Sequence, residues 1–502
     1  VHRLKDGIQN DVVSAIADKL GKNNLIQNND GILSLDLPKD VTHPGAIKTL
    51  NEDLLPAMKE VGDKFGAGEL ILPFVLKSAE CMKASVVELE KYLVKEEGTS
   101  KGKLVLGTVY GDVHDIGKNL VKTIFINNGY SVFDLGKQVP LQKFLEKIDE
   151  VKPDAIGLSA LLVSTSKQMK FFVEHARKNN MTVPILCGGA AINSNYINRI
   201  AKEGGIYDPG VFYCNTMFEG LKTMDTLISD DKPKLLEEWK TKLENWKERS
   251  NTPVDPSTIP RSNVQPVDPP NPKMVGEPIR LKLDQINMDE VWTMIDKKSL
   301  FKLSWGLRGK AGAESEEEHE QLLTEWKIRL IRDKLIEPEI VYGYFKCHNN
   351  GRKLVVENPS DDDVEFDFPR STRPEHLCLT DYFGDNDIVA FQSVTVGTKV
   401  ADILEKWNDE DKYSDAYYLH GLAVELAEAL AQWVNEKIKS ELKLNEGGLR
   451  YSWGFPSCPD VSQHHLVWKL LHPEKSGMSL TESGQIIPEQ STAAIVLHHP
   501  NA

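Results

Sequence analysis

The chain has few cysteines, no long apolar run and no excess of basic residues, and each shortage closes off a class of function. Its six cysteines (Cys81, Cys187, Cys214, Cys347, Cys378 and Cys458) are scattered, and none forms a C-x-x-C pair. A disulfide framework or a structural zinc site is therefore not expected. Isolated thiols in such a chain fit the reducing cytoplasm. No stretch of about 18 consecutive apolar residues occurs, so no segment is built to span a membrane. Asp plus Glu outnumber Lys plus Arg by 75 to 60, giving a net charge of −15. A general nucleic-acid binder needs a basic face to displace phosphate counterions, and this balance argues against one. Residues 1–10 show neither an initiator Met nor the apolar core of a signal peptide, as expected of a chain cut from something longer.

What is present points to several domains. At 502 residues, two to four are expected at roughly 100–200 residues each. Residues 1–97 read as helical throughout, with apolar positions at helical spacing in Val12-Val13-Ile16-Leu20 and Leu54-Leu55-Met58-Val61-Phe65, which predicts a small bundle. From residue 98 to 232 the pattern changes. Five short apolar runs (104–109, 131–134, 155–159, 183–186, 210–213) alternate with amphipathic stretches of helical length. That alternation predicts a doubly wound, Rossmann-like parallel sheet of five strands, which binds ligands at its carboxyl edge. Residues 233–274 combine a charged helix with an extended, semi-rigid linker, eight prolines falling between Asn251 and Pro278. Residues 275–502 mix long helices with strand-like runs such as 388–395 and are expected to form a separate α+β domain.

The sharpest motif is Gly111-Asp-Val-His-Asp-Ile-Gly117, directly after the first predicted strand of the sheet. His114 there can offer one imidazole nitrogen to a metal while Asp112 accepts the other ring N–H, which fixes the tautomer. Gly117 permits close backbone approach as the next helix begins. This D-x-H-x-x-G loop resembles the signature of the cobalamin-binding domain of corrinoid methyltransferases and mutases, in which the His replaces the corrinoid's own lower ligand. The resemblance implies His114 as the cobalt ligand, backed by Asp112 and Thr165, with Gly111, Val113, Asp115 and Gly117 as loop contacts. It extends to 157–165, where Ser159, Val163 and Thr165 would meet the cofactor. It also covers the turn Cys187-Gly-Gly-Ala190, where Gly188 and Gly189 let the nucleotide tail lie close, and Thr216 after the last strand. Residues 65–83 resemble the family's helical cap, so that Phe65, Ile71, Leu72 and Val75 would shield the upper face of methylcobalamin. Ile71 stands where an aromatic is usual.

The tail narrows the resemblance. Arg450-Tyr-Ser-Trp-Gly-Phe-Pro-Ser-Cys-Pro-Asp460, Leu480-Thr-Glu-Ser483 and the segment 422–429 resemble motifs of the reactivation domain of cobalamin-dependent methionine synthases. For S-adenosylmethionine (AdoMet) this implies Arg450 on the ligand carboxylate, Asp296 on its amino group, and Ser452 and Glu428 nearby. Val496 and Leu497 stand where the family has a late aromatic pair, and Lys297, Phe455 and Ser457 are further departures. The implied function is that of a C-terminal half: to carry methylcobalamin from methyltetrahydrofolate to homocysteine, and to support AdoMet-dependent reactivation of Co(II). The implied partners are a flavodoxin-like or other flavoprotein reductant and the folate and homocysteine domains of a longer chain. Zinc is expected only in that homocysteine domain, and the fragment is not expected to complete turnover alone. The alternative is a stand-alone corrinoid carrier serving separate methyltransferases. The pairs His464-His465 and His498-His499 lack a third ligand at useful spacing and are expected at the surface.

Overall fold

The computed structural model describes residues 7–21, 25–66, 69–93, 100–247, 259–307 and 316–502. The chain divides into two compact units. The first is Val1–Glu248 with Trp305–Ser315 and Trp407–Tyr417; the second is Arg249–Ser304, Glu316–Lys406 and Tyr418–Ala502.

The first unit begins with α1 (Ile8–Leu20), which buries Val12, Val13, Ile16 and Ala17 along one stripe. The all-helical expectation then fails. Strands β1 (Leu25–Gln27) and β2 (Leu33–Leu35) pair as an antiparallel hairpin. Asn28 drives the turn: its Oδ1 accepts the N–H groups of Asp30 and Ile32 at 3.0 and 2.8 Å, and Gly31 takes a φ of 78°. Helix α2 (Lys39–Lys48) runs through a π-type turn at Thr49–Leu54 into α3 (Leu55–Gly66). Helix α4 (Leu72–Leu89) carries Pro73 in its first turn, where a missing N–H has no helical partner to lose.

Five parallel strands follow: β3 (Lys103–Thr108), β4 (Ser131–Asp134), β5 (Ala155–Ser159), β6 (Ile185–Gly188) and β7 (Val211–Tyr213), in the order β4-β3-β5-β6-β7. Helices α5 (Ile116–Asn127), α6 (Leu141–Val151), α7 (Val163–Lys178), α8 (Ser194–Lys202) and α9 (Met217–Leu227) alternate with them, and α10 (Lys232–Asn245) closes the series. The period of two sorts the strands onto two cores. Val105, Ile156 and Leu158 pack with Phe144, Met169 and Val173; Leu104 and Leu106 pack with Phe125, Met224 and Leu227. The strand order reverses between β3 and β5, so the loops after these two strands flank the crevice that such sheets use for ligands.

The second unit is built on an antiparallel sheet. Its strands are β8 (Ile279–Leu281), β9 (Glu339–Asn350), β10 (Lys353–Val356), β11 (Val364–Asp367), β12 (Asp387–Thr395), β13 (Leu449–Ser452) and β14 (Ser491–Leu497). They run in the order β11-β10-β9-β12-β14-β13, with β8 also on β9. Tyr342 and Tyr344, two apart on one face of β9, donate their hydroxyls to the two oxygens of Glu441 at 2.9 and 2.7 Å. Glu441 lies near the end of the 30-residue helix α11 (Tyr413–Leu442), which is thereby tied to the sheet.

Residues 259–278 hold no helix or strand, as their prolines dictate, and they are docked on the rest of the unit; residues 251–258 of the expected linker lie outside the described residues. Asp381, fully buried, pairs with Arg370 and accepts from Ser262 Oγ at 2.7 Å, with Arg261 Nε at 3.4 Å. His499 Nε2 donates to the carbonyl of Gln265 at 3.0 Å. Of the two histidine pairs, only His465 is a surface group. His464, His498 and His499 are buried; His498 meets Asp387 at 2.7 Å, and burial holds the His464 imidazole down at about 4. Among the described residues no three His, Cys, Asp or Glu side chains are grouped to hold a metal, and no helix is long and apolar enough to cross a membrane.

Candidate functional site

The loop after β3 begins at Gly111, whose φ of 80° turns the chain across the carboxyl edge of the sheet. Asp112 then drops into the protein and is fully buried. Its Oδ1 accepts from His114 Nδ1 at 2.8 Å and from the His114 N–H at 3.1 Å. Its Oδ2 accepts from Thr165 Oγ1 at 2.6 Å and from the Leu161 N–H at 2.8 Å. Burial alone would raise this carboxyl, but the bonds from His114, Thr165 and Leu161 outweigh it and hold the pKa below the usual range. With Nδ1–H committed to Asp112, the imidazole lone pair lies on Nε2, the arrangement a metal ligand requires.

The remaining loop residues surround this pair. Val113 is buried, Asp115 precedes the first turn of α5, and a Cβ on Gly117 would meet nothing within 4 Å. Ser159 ends β5 and its carbonyl accepts the N–H of Val109 at 3.0 Å. Val163, at the start of α7, is 73% exposed, and Leu161 and Tyr110 also leave apolar surface open. Gly188 ends β6. Gly189, at φ 125°, lies so close to the loop after β5 that a Cβ would sit 2.0 Å from the Ala160 carbonyl oxygen. Thr216 spends its hydroxyl as the N-cap of α9, accepting from the Glu219 N–H at 3.1 Å. In the cap, Phe65 packs on Phe218 in the first turn of α9, with ring centroids 5.2 Å apart. Ile71 and Leu72 are half-buried at the start of α4, whereas Val75 is fully enclosed. A histidine with a fixed tautomer beside open apolar surface suits a bulky, largely apolar metal-bearing group.

The second unit holds a separate open cleft of about 590 Å³ between α11 and β13. Arg450 lies in it, its Nη2 donating to Glu428 Oε2 at 2.6 Å, with Ser452 Oγ 3.5 Å from Nη1. Leu449 and Phe455 expose apolar surface to the same cleft. An arginine beside an apolar wall suits a ligand that pairs a carboxylate with a less polar body. Gln432, Asn435, Glu436 and Lys439 also line it and were not singled out in the sequence; their spacing from Glu428 on one helix face was the available signal. Three predicted residues do not line it. Asp296 caps the short helix Lys297–Ser299, accepting from Lys298 and Ser299, while Val496 and Leu497 are buried in β14.

Comparison with known proteins follows the same division. Residues 34–90 and 102–222 each match a family described as "B12 binding domain". Residues 287–502 match "Vitamin B12 dependent methionine synthase, activation domain". The methionine synthase of Mycobacterium tuberculosis (strain H37Rv) is 34% identical over 94% of this chain, and that of Mycobacterium leprae 33% identical over 94%. This chain spans 44% of the length of each. A solved structure, the MetH reactivation domain bound to AdoHcy, aligns with 47% of this chain and 82% of its own at 20% identity and a TM-score of 0.41. The chain thus carries, in order, the B12-binding domains and the activation domain of the vitamin-B12-dependent methionine synthases, and it belongs with that family as its C-terminal half.

Proposed function

We propose that this chain holds a corrinoid with His114 as the lower ligand of its cobalt, and that the Arg450 cleft takes AdoMet. The observation that carries the first part is the buried Asp112, whose oxygens accept from His114, Thr165 and Leu161. When bound, the corrinoid cobalt accepts and gives up a methyl group, and AdoMet is a methyl donor. The protein's own residues do the rest. Asp112 orients the imidazole and can take up the charge change when the ligand binds or leaves. Phe65, Ile71 and Leu72 would supply the apolar surface that keeps water from a reactive bond. Arg450 would exchange Glu428 for the carboxylate of AdoMet, and Glu428 would then be placed near the ligand's amino group.

Within a longer protein these parts serve transfer from methyltetrahydrofolate to homocysteine, with other domains binding those substrates. A flavoprotein supplies the electron for reactivation, and the reaction runs in the cytoplasm. The test is the absorption spectrum of bound methylcobalamin in the His114→Ala variant. A shift towards the form without a nitrogen lower ligand is expected; a spectrum identical to the parent's would overturn the assignment.

A further inference from the structure

We infer that Lys118 is a positioning residue for His114, acting through Asp134 on the loop that fixes the backbone of Asp112. The inference rests on the reading of His114 as the cobalt ligand. Lys118 sits in the first turn of α5, four residues after His114, yet it is only 2% exposed. Lysines normally carry their ammonium to water, and an apolar side chain would fill the same space without the desolvation cost. Its Nζ instead meets both oxygens of Asp134 at 2.7 Å and also reaches Asn119 Oδ1. Lys122 Nζ approaches the same carboxylate at a longer 3.2 Å, from a side chain that is 41% exposed.

Asp134 ends β4 and starts a tight turn. Its Oδ1 also accepts the N–H of Gly136 at 2.9 Å. Gly136 has φ 86°, and Gln138, two residues on, is held at φ 54°. A glutamine in the left-handed region persists only where its surroundings over-determine it. Here the Gln138 N–H donates to the backbone carbonyl of Asp112 at 3.0 Å. The flanking bonds, Thr108 N–H to Gly136 at 3.0 Å and Val139 N–H to Thr108 at 2.9 Å, seat the turn on β3.

Asp112 is therefore held on two sides. The loop after β5 grips its carboxylate, and the loop after β4 grips its peptide. Lys118 is the counter-charge that closes the second grip. Without it, Asp134 keeps only the more distant Lys122 as counter-charge, the turn at Gly136–Gln138 relaxes, and the Asp112 carboxylate no longer presents a fixed oxygen to His114 Nδ1.

The experiment compares the parent, His114→Ala, Lys118→Met, and the double variant Lys118→Met with Asp134→Asn, all as the full 502-residue chain. Two quantities are read: the ratio of His-bound to His-free spectra of added methylcobalamin, and the nitrogen-15 signal of the His114 ring in the protein without cofactor. Lys118→Met is expected to lower the ratio several-fold and to shift the ring signal. The double variant leaves no stranded buried carboxylate, so it keeps the test open if the single one does not fold. It should recover part of the ratio, because an amide oxygen at position 134 still accepts from Gly136. A lower denaturation midpoint with an unchanged ratio and ring signal in both variants would make Lys118 merely structural and overturn the inference. If His114→Ala itself matches the parent spectrum, the ligand reading falls and carries this inference with it.

Discussion

Thr165→Val removes a single hydroxyl at nearly constant volume, and that hydroxyl lies 2.6 Å from Asp112 Oδ2. Both partners are buried, so water cannot take over the lost bond. The Leu161 N–H at 2.8 Å remains, with Leu162 N–H more distant at 3.4 Å. A hydrogen bond to a charged group contributes about 1.5–3 kcal/mol, so the variant should lose roughly ten- to a hundredfold in its folding equilibrium. The sign of the pH dependence follows from the carboxyl. Its folded pKa is depressed, so its contribution is complete above the unfolded value of about 3.9 and is lost as pH falls through the folded value. Losing a donor raises the folded value towards the unfolded one. The penalty should therefore be full at neutral pH and should shrink only in acid, below about pH 4. Urea titration of the first unit, followed by hydrogen exchange across residues 103–166, measures it. A penalty below about 0.5 kcal/mol at pH 7, or one undiminished after Asp112 has titrated, would refute the reasoning.

Three further outcomes are expected. Gly189→Ala forces a Cβ to 2.0 Å from the Ala160 carbonyl at a φ of 125°, so cobalamin retention on gel filtration should collapse; normal retention would show that the two loops can part. Arg450→Lys keeps the charge but not the planar fork, and AdoMet affinity by calorimetry should fall about tenfold; equal affinity would place the ligand elsewhere. Asp381→Asn loosens Arg261 and Ser262, so tryptic cleavage after Arg261 should quicken, whereas an unchanged rate would mean that the linker is held by other contacts.

The alternating strands of the first unit were legible because buried parallel strands need continuous apolar runs, and residues 104–106 and 155–158 supply them on both faces. The hairpin at Leu25–Leu35 does not show in the pattern although Asn28 and Gly31 carry its turn, because its strands are three residues each and stand between strongly helical stretches. The docking of residues 261–265 could not be read locally: Asp381 lies about 120 residues away, and nothing near the prolines announces it. The same holds for His498, whose partner Asp387 is 111 residues distant; a polar pair looks like surface until its long-range partner is known. In the cleft, the Arg450–Glu428 pairing joins two motifs that the sequence offered separately, while the helix face from Gln432 to Lys439 carries no signature beyond its spacing.

Two of the groups that reach Asp112 Oδ2, the N–H groups of Leu161 and Leu162, belong to the main chain. Main-chain donors are supplied by every amino acid except proline. The side chain of Leu161, 40% exposed, can thus be exchanged without touching the bond that its own backbone makes. A library randomised at this position can remodel the apolar surface beside His114 while the anchorage of the imidazole is inherited intact. Tolerance and precision are here lodged in different atoms of one residue, and only Leu161→Pro would spoil both at a stroke.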